Sequence, residues 1–206
     1  MTDCFALLGV PRRPWLDAAA LKARLHELSH SCHPDRVHGG PPEEVAAATA
    51  RYTELNAAYA TLQSGKERLA HLLELERGAR PQVVQEIPAP LMDLCLEVGA
   101  ACQRVDAFLA ESVPCESPML KAGRFARALE QQDAVAAMLA RLRPQVDAVE
   151  AELRNLNRSW ETAETLPAAA RTGHLPLARI EELWRWLSYL NRWTAQLQER
   201  NVRLTL

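Results

Sequence analysis

Aromatic side chains are scarce in this chain, 5% of 206 residues, and β-branched residues are sparse as well. That argues against sandwiches and barrels, whose strands draw on those residue types. Charge of one sign is also missing: 24 Lys/Arg against 26 Asp/Glu leave a net charge of −2. A nucleic-acid surface needs a basic excess, so no nucleic-acid partner is expected. The five cysteines, at positions 4, 32, 95, 102 and 115, form no C-x-x-C pair. An odd, scattered set excludes a disulfide framework and fits a reducing compartment. No apolar run reaches the roughly 18–20 residues that a bilayer-spanning helix needs. The first ten residues lack the charged start and apolar stretch of a secretory signal. A cytoplasmic protein with no membrane contact is expected.

What is plentiful is Ala, Leu, Glu, Arg and Gln, residues that favour helix, within a composition that is 48% apolar. The length fits one large or two small domains. Leu21, Leu25, Leu28 and Cys32 recur at helical spacing, and so do Val45, Ala48, Tyr52, Leu55, Tyr59 and Leu62. Two helices with matching apolar stripes and a short polar loop between them predict an antiparallel hairpin. Asp17 is the expected N-cap of the first, with Leu16 and Leu21 at the staple positions. Pro34 pushes His33 away from helical angles, so that helix should end near Cys32. Gly39, Gly40, Pro41 and Pro42 close the loop, and Glu43-Glu44 suit the positive end of the second helix. Ser64-x-x-Glu67 reads as a capping box for a shorter helix through Leu69, Leu72 and Leu73. Gly78, Pro81, Pro88 and Pro90 then break helix, which makes residues 76–90 a linker between 1–75 and 91–206.

Three further helical stripes lie beyond the linker. The first holds Leu94, Val98, Ala101, Val105 and Phe108; on another of its faces lie Met92, Leu96, Gly99 and Gln103. The second runs from about Leu120 to Thr162, with Pro144 expected to kink or interrupt it. The third begins near Pro176 and carries Ile180, Leu183, Leu187, Leu190 and Leu197, with Trp186, Tyr189 and Trp193 on an adjoining face. Short connections between such stripes predict a three-helix bundle.

The hairpin loop carries His33-Pro34-Asp35 at its exposed tip. Pro34 fixes the backbone there. Asp35 offers a carboxylate that a partner arginine can grip with two hydrogen bonds, and His33 can donate or accept one beside it. This is recognition rather than bond-making chemistry.

Phe5-x-x-Leu8-Gly9-Val10, the helical run, His33-Pro34-Asp35-Arg36 and Leu55-Asn56-Ala57-Ala58-Tyr59-x-x-Leu62 together resemble a J-domain, over roughly residues 3–75. A J-domain followed directly by a small helical domain, with no Gly/Phe-rich linker and no zinc-finger module, is similar to the HscB-type co-chaperones of iron–sulfur cluster assembly. The resemblance implies an all-α, L-shaped protein: an N-terminal J-domain hairpin plus a C-terminal three-helix bundle. It implies that His33, Pro34, Asp35 and Arg36, with Lys22 and Arg24 on the preceding helix, engage a DnaK/HscA-type ATPase chaperone and favour hydrolysis. It also implies a client patch for the iron–sulfur scaffold protein on Leu91, Met92, Cys95 and Tyr189, with Leu96 beside them. Two departures stand out. Glu27, His26 and His30 occupy helix positions where Lys or Arg is common, which suggests a dedicated chaperone. The acidic positions of the family's client patch read Leu96, Gly99 and Gln103. Two alternatives stay open: a J-domain protein whose helical domain binds another client or forms a homodimer, and a helical adaptor with a vestigial J-domain.

No Ser/His/Asp set, Gly-rich phosphate loop or paired carboxylates stand out, so neither enzymatic activity nor a cofactor is expected. His30, Cys32, His33 and His38 are of zinc-ligand type. Cys32 continues the apolar stripe, however, and should be buried, and His33 belongs to the J-domain pattern, so no metal site is expected. His26, His71 and His174 read as isolated surface or edge residues.

Overall fold

The computed structural model describes residues 2–33, 39–82, 86–111 and 118–205. Among these residues lie eight α-helices and a single 3₁₀ turn, Ala89–Leu91, and no strand. The helices are α1 (Cys4–Leu8), α2 (Ala18–Cys32), α3 (Pro42–Gln63), α4 (Gly65–Arg77), α5 (Met92–Ala110), α6 (Pro118–Ala163), α7 (Ala168–His174) and α8 (Leu177–Arg203). No helix among the described residues is long and apolar enough to cross a membrane. The chain forms two compact units, Met1–Val83 with Glu150–Trp184, and Val84–Val149 with Arg185–Leu206. The units therefore do not follow a linear cut at 76–90: α6 and α8 each contribute to both.

The first unit is built from its caps inward. Asp3 opens α1 by accepting from the Phe5 and Ala6 N–H groups, and Asp17 opens α2 by accepting from Ala20 N–H at 2.7 Å. Ser64 opens α4 by accepting from Glu67 N–H at 3.4 Å. Phe5 and Leu8 of α1, Leu21 of α2, Leu55, Ala58 and Leu62 of α3, and Leu69, Leu72 and Leu73 of α4 form its core. Gly9 ends α1 at φ +62, a left-handed angle that glycine adopts without strain. Its neighbour is Arg24, whose Nε donates to Leu8 O at 3.0 Å and so satisfies a carbonyl at the helix end.

Two polar side chains are buried here. The Arg68 guanidinium donates to Pro14 O at 2.9 Å and to Leu62 O at 2.7 Å, tying the α1–α2 connection to the end of α3. Burial pushes its pKa down to about 10. His71, expected at the surface, is buried instead. Its ring stacks on Phe5, and its Nε2 accepts from Cys4 N–H at 3.0 Å. From Arg68 to Leu73 α4 is buried all round, so residue 71 faces the interior, and the free backbone donor at the start of α1 gives the imidazole a partner.

That bond needs the neutral imidazole. Burial holds the His71 pKa below its ordinary value, against weaker upward pulls from Asp3 and Glu74. A folded pKa below the unfolded one means that the unfolded chain takes up the proton first. Stability is then intact above the ordinary imidazole pKa of about 6.5 and falls as pH drops below it. The melting temperature should decline between neutral and mildly acidic pH, and His71→Gln, which keeps an acceptor, should flatten that decline. A variant profile parallel to the parent's would exclude His71 as its source.

The end of α6, α7 and the start of α8 complete this unit. Trp15 and Asn157 exchange two hydrogen bonds of 3.0 Å, and Arg154 lies over the Trp15 ring at 4.3 Å. Arg13 pairs with Glu164 at 2.8 Å. Arg171 meets the nearly buried Glu76 at 3.1 Å. Arg179 grips both oxygens of Glu152, at 2.6 and 2.7 Å.

In the second unit α5 buries Val98, Ala101, Cys102, Val105 and Phe108; α6 buries Val135, Met138, Leu142 and Val149; α8 buries Leu187, Tyr189, Leu190, Trp193 and Leu197. Arg200 of α8 holds Asp106 of α5 through both oxygens, at 3.0 and 2.7 Å. Pro144 does not interrupt α6, which remains helical from Pro118 to Ala163. A proline costs a helix about 3 kcal/mol, mainly through the lost N–H and the crowded carbonyl four residues back. Here both Ala140 and Pro144 are exposed, so water can satisfy that carbonyl.

Candidate functional site

The hairpin of α2 and α3 presents the first candidate site. Leu21 is buried and Leu25 and Leu28 are half-buried along α2, while Leu55, Ala58 and Leu62 are buried along α3. His33 leaves the helix at φ −64, ψ 131, the extended geometry expected before a proline. It is half-buried, and its ring stands edge-on to Tyr52 at 5.3 Å. An open groove of about 640 Å³ runs beside it between the two helices, lined by Leu25, His26, His30, His33, Tyr52 and Asn56. Pro34, Asp35 and Arg36, together with His38, lie outside the described residues. Cys32, expected to be buried, is half-exposed, with its thiol turned back to Leu28 O at 3.6 Å. At the last turn of α2 the hairpin core has already thinned out. Among the described residues no group of three or more His, Cys, Asp or Glu is arranged to hold a metal ion.

The two cations expected to meet a chaperone from α2 differ. Lys22 is exposed. Arg24 is half-buried: it caps α1 at Leu8 O and pairs with Glu27 at 2.6 Å. Its charge is largely used within the unit, which leaves the basic face thinner than the sequence suggests.

The second candidate site lies on α5. Met92 is 44% exposed and Leu96 67%, and Gly99 and Gln103 on the same face are exposed too. Cys95 is half-buried at the edge. Leu91 and Tyr189, expected to share this surface, are buried. Leu91 ends the 3₁₀ turn before α5 and points inward as an anchor. Tyr189 is covered by its own helix, with Trp193 at 5.7 Å and the Arg192 guanidinium 4.7 Å over its ring. The exposed patch is therefore Met92 and Leu96 with Cys95 beside them. Glu97, the carboxylate next to Leu96 in sequence, is paired with Arg141 of α6. Beyond that pair, a shallow groove of about 410 Å³ between α5 and α6 is floored by Ala100, Ala101, Ala134, Ala137 and Met138.

Sequence reasoning missed the set formed by Trp15, Arg154 and Asn157, and the capping role of Arg24. The first joins residues 142 positions apart, for which one sequence carries no signal. The second had a signal: a glycine ending α1 and an arginine on the facing helix.

This chain is 38% identical over 73 residues to the co-chaperone protein HscB homolog of Aromatoleum aromaticum, covering 35% of this chain and 41% of that protein. It is 35% identical over 74 residues to the co-chaperone protein HscB of Proteus mirabilis, covering 36% and 43%. The matched region thus spans about two fifths of each curated relative. Its fold is that of the crystal structure of human co-chaperone protein HscB, with a TM-score of 0.60 and 17% identity over 98% of this chain and 84% of that one. No protein-family model matches the chain. The likeness to HscB co-chaperones read from the sequence is shown by these relatives, and the all-α class by the helices.

Proposed function

We propose, from a J-domain-like hairpin on the helical fold of an HscB structure, that this protein is a co-chaperone of iron–sulfur cluster assembly. Its His33-Pro34-Asp35 loop stimulates ATP hydrolysis by a DnaK/HscA-type chaperone, and its second unit delivers an iron–sulfur scaffold protein. The carrying observation is the hairpin itself: α2 ends in an extended His33 immediately before Pro34 and Asp35, with a groove leading up to it. The HscB names of the relatives support the same reading. The protein performs no bond-making step; it biases a partner between two states, and can do so only by binding one of them more tightly. Adding it should raise the single-turnover ATPase rate of the cognate chaperone severalfold or more. No change in that rate at saturating protein would sink the proposal.

The client arm rests on the exposed part of the α5 patch. Apolar anchors in such a patch contribute about 1–2 kcal/mol each. Met92→Ala with Leu96→Ala should weaken binding of a purified scaffold protein by roughly tenfold or more in titration calorimetry. Both side chains are exposed, so the melting temperature should barely move. Undiminished affinity of the double variant would move the client elsewhere on the molecule.

A further inference from the structure

Between Lys22 and the hairpin tip, α2 carries the run His26-Glu27-Leu28-Ser29-His30. Residues four apart on a helix stand one turn above each other, with Cβ atoms about 5–6 Å apart. His-Glu-x-x-His on a helix is the spacing that presents two imidazoles to one zinc ion. The structure meets the conditions for such a pair. Both histidines lie within α2, both are exposed, and both line the open groove of about 640 Å³ beside α3. Ser29 lines the same groove, and its Oγ is screened from solvent with no hydrogen-bond partner among the described residues. A buried hydroxyl normally has a partner. A water held by a cation on the two imidazoles supplies one.

The neighbours limit the protein ligands to two. The Cys32 thiol turns back to Leu28 O and Ser29 O, at 3.6 and 3.8 Å. His33 stands edge-on to Tyr52, and no third His, Cys, Asp or Glu among the described residues converges with the pair. Glu27 holds the place of the general base in zinc hydrolases with this spacing, but here it pairs with Arg24 at 2.6 Å. The arrangement therefore suits binding rather than metal-assisted hydrolysis. Imidazole suits zinc, copper and nickel, whereas magnesium and calcium take oxygen ligands. Two imidazoles leave the remaining positions of a four-coordinate zinc to water.

We infer that His26 and His30 form a two-imidazole site for zinc or another divalent transition cation on the groove side of α2. It is distinct from the set His30, Cys32, His33 and His38, with which it shares only His30. It does not depend on the co-chaperone reading.

The test uses the full chain, free of any affinity tag and washed with a chelator, titrated with zinc chloride against a chromophoric chelator of micromolar affinity. The expected result is one zinc per chain. His26→Ala, and separately His30→Ala, should weaken binding by more than tenfold, since even a group behind a ligand is worth about that much. Cys32→Ser and His38→Gln should bind zinc like the parent, copper(II) should bind more tightly than zinc, and magnesium should not compete. Both ligands are exposed, so the alanine variants should melt like the parent without metal. Added zinc should raise the melting temperature of the parent and not of His26→Ala. Parental zinc binding by His26→Ala would overturn the inference. So would loss of zinc in Cys32→Ser or His38→Gln, which would move the ion to the loop, and so would a parent that takes up no zinc.

Discussion

Asp35→Asn, and separately His33→Gln, should each abolish stimulation of the chaperone ATPase while leaving the protein folded. A carboxylate that meets a partner arginine through two charge-assisted bonds leaves that arginine unpaired when it becomes an amide. Breaking a desolvated pair of this kind costs about 2–5 kcal/mol. That is roughly thirtyfold or more in the coupled equilibrium, enough to erase a severalfold rate effect. His33 stands on the other side of Pro34, with an extended backbone and its ring edge-on to Tyr52. Losing an aromatic contact of this kind costs about 0.5–1.5 kcal/mol. In a chain of this length that moves melting by only a few degrees, about 2–4 °C per kcal/mol. Stimulation at the parental level by either variant would remove the tip from the mechanism.

Leu91→Ala should cost about 2–5 kcal/mol of stability, the usual range for a buried leucine that leaves a cavity. Met92→Ala, one residue on, should cost well under 1 kcal/mol, as surface changes do. The contrast comes from burial: Leu91 is fully inaccessible, whereas Met92 is 44% exposed. Denaturant titration of the two single variants reads it directly, as a fall in midpoint for one and not for the other. Equal stability losses would mean that the start of α5 is not held as the structure has it. The contrast also decides how a client test is built, because a variant carrying Leu91→Ala would lose binding through unfolding alone.

Much of the fold was legible because its signals are local. Asp17 and Ser64 cap the helices they were expected to cap, Pro34 comes after a His33 in extended geometry, and the stripes at 98–108 and 180–197 are buried. The errors arose where packing or solvent access, rather than a local signal, decides. His71 looked isolated until α1 brought a backbone donor to it. Cys32 sat on the apolar stripe, but the hairpin is too open at that turn to cover it. Tyr189 belonged to an aromatic face that reads equally well as core or as surface, and Trp193 and Arg192 cover it. Pro144 broke a local rule that solvent access relaxed. The short α7 gave no periodic signal over its seven residues. Of the candidate surfaces, the separate face of α5 that carries Met92 and Leu96 was readable from spacing. The cap that Arg24 gives α1 had only a weak signal, a glycine ending α1 and an arginine on the facing helix.

The junction of Gly9 and Arg24 binds two positions into one heritable unit. A Cβ on residue 9 would come within 2.8 Å of an Arg24 guanidinium nitrogen, and the backbone there already sits at φ +62. Any larger residue at 9 must push the end of the arginine side chain aside, next to the Nε–H that Leu8 O accepts. The two positions are therefore coupled. Among relatives, those that give up glycine at the first position should also have changed the arginine at the second, and a swap at both together should be tolerated better than the glycine change by itself.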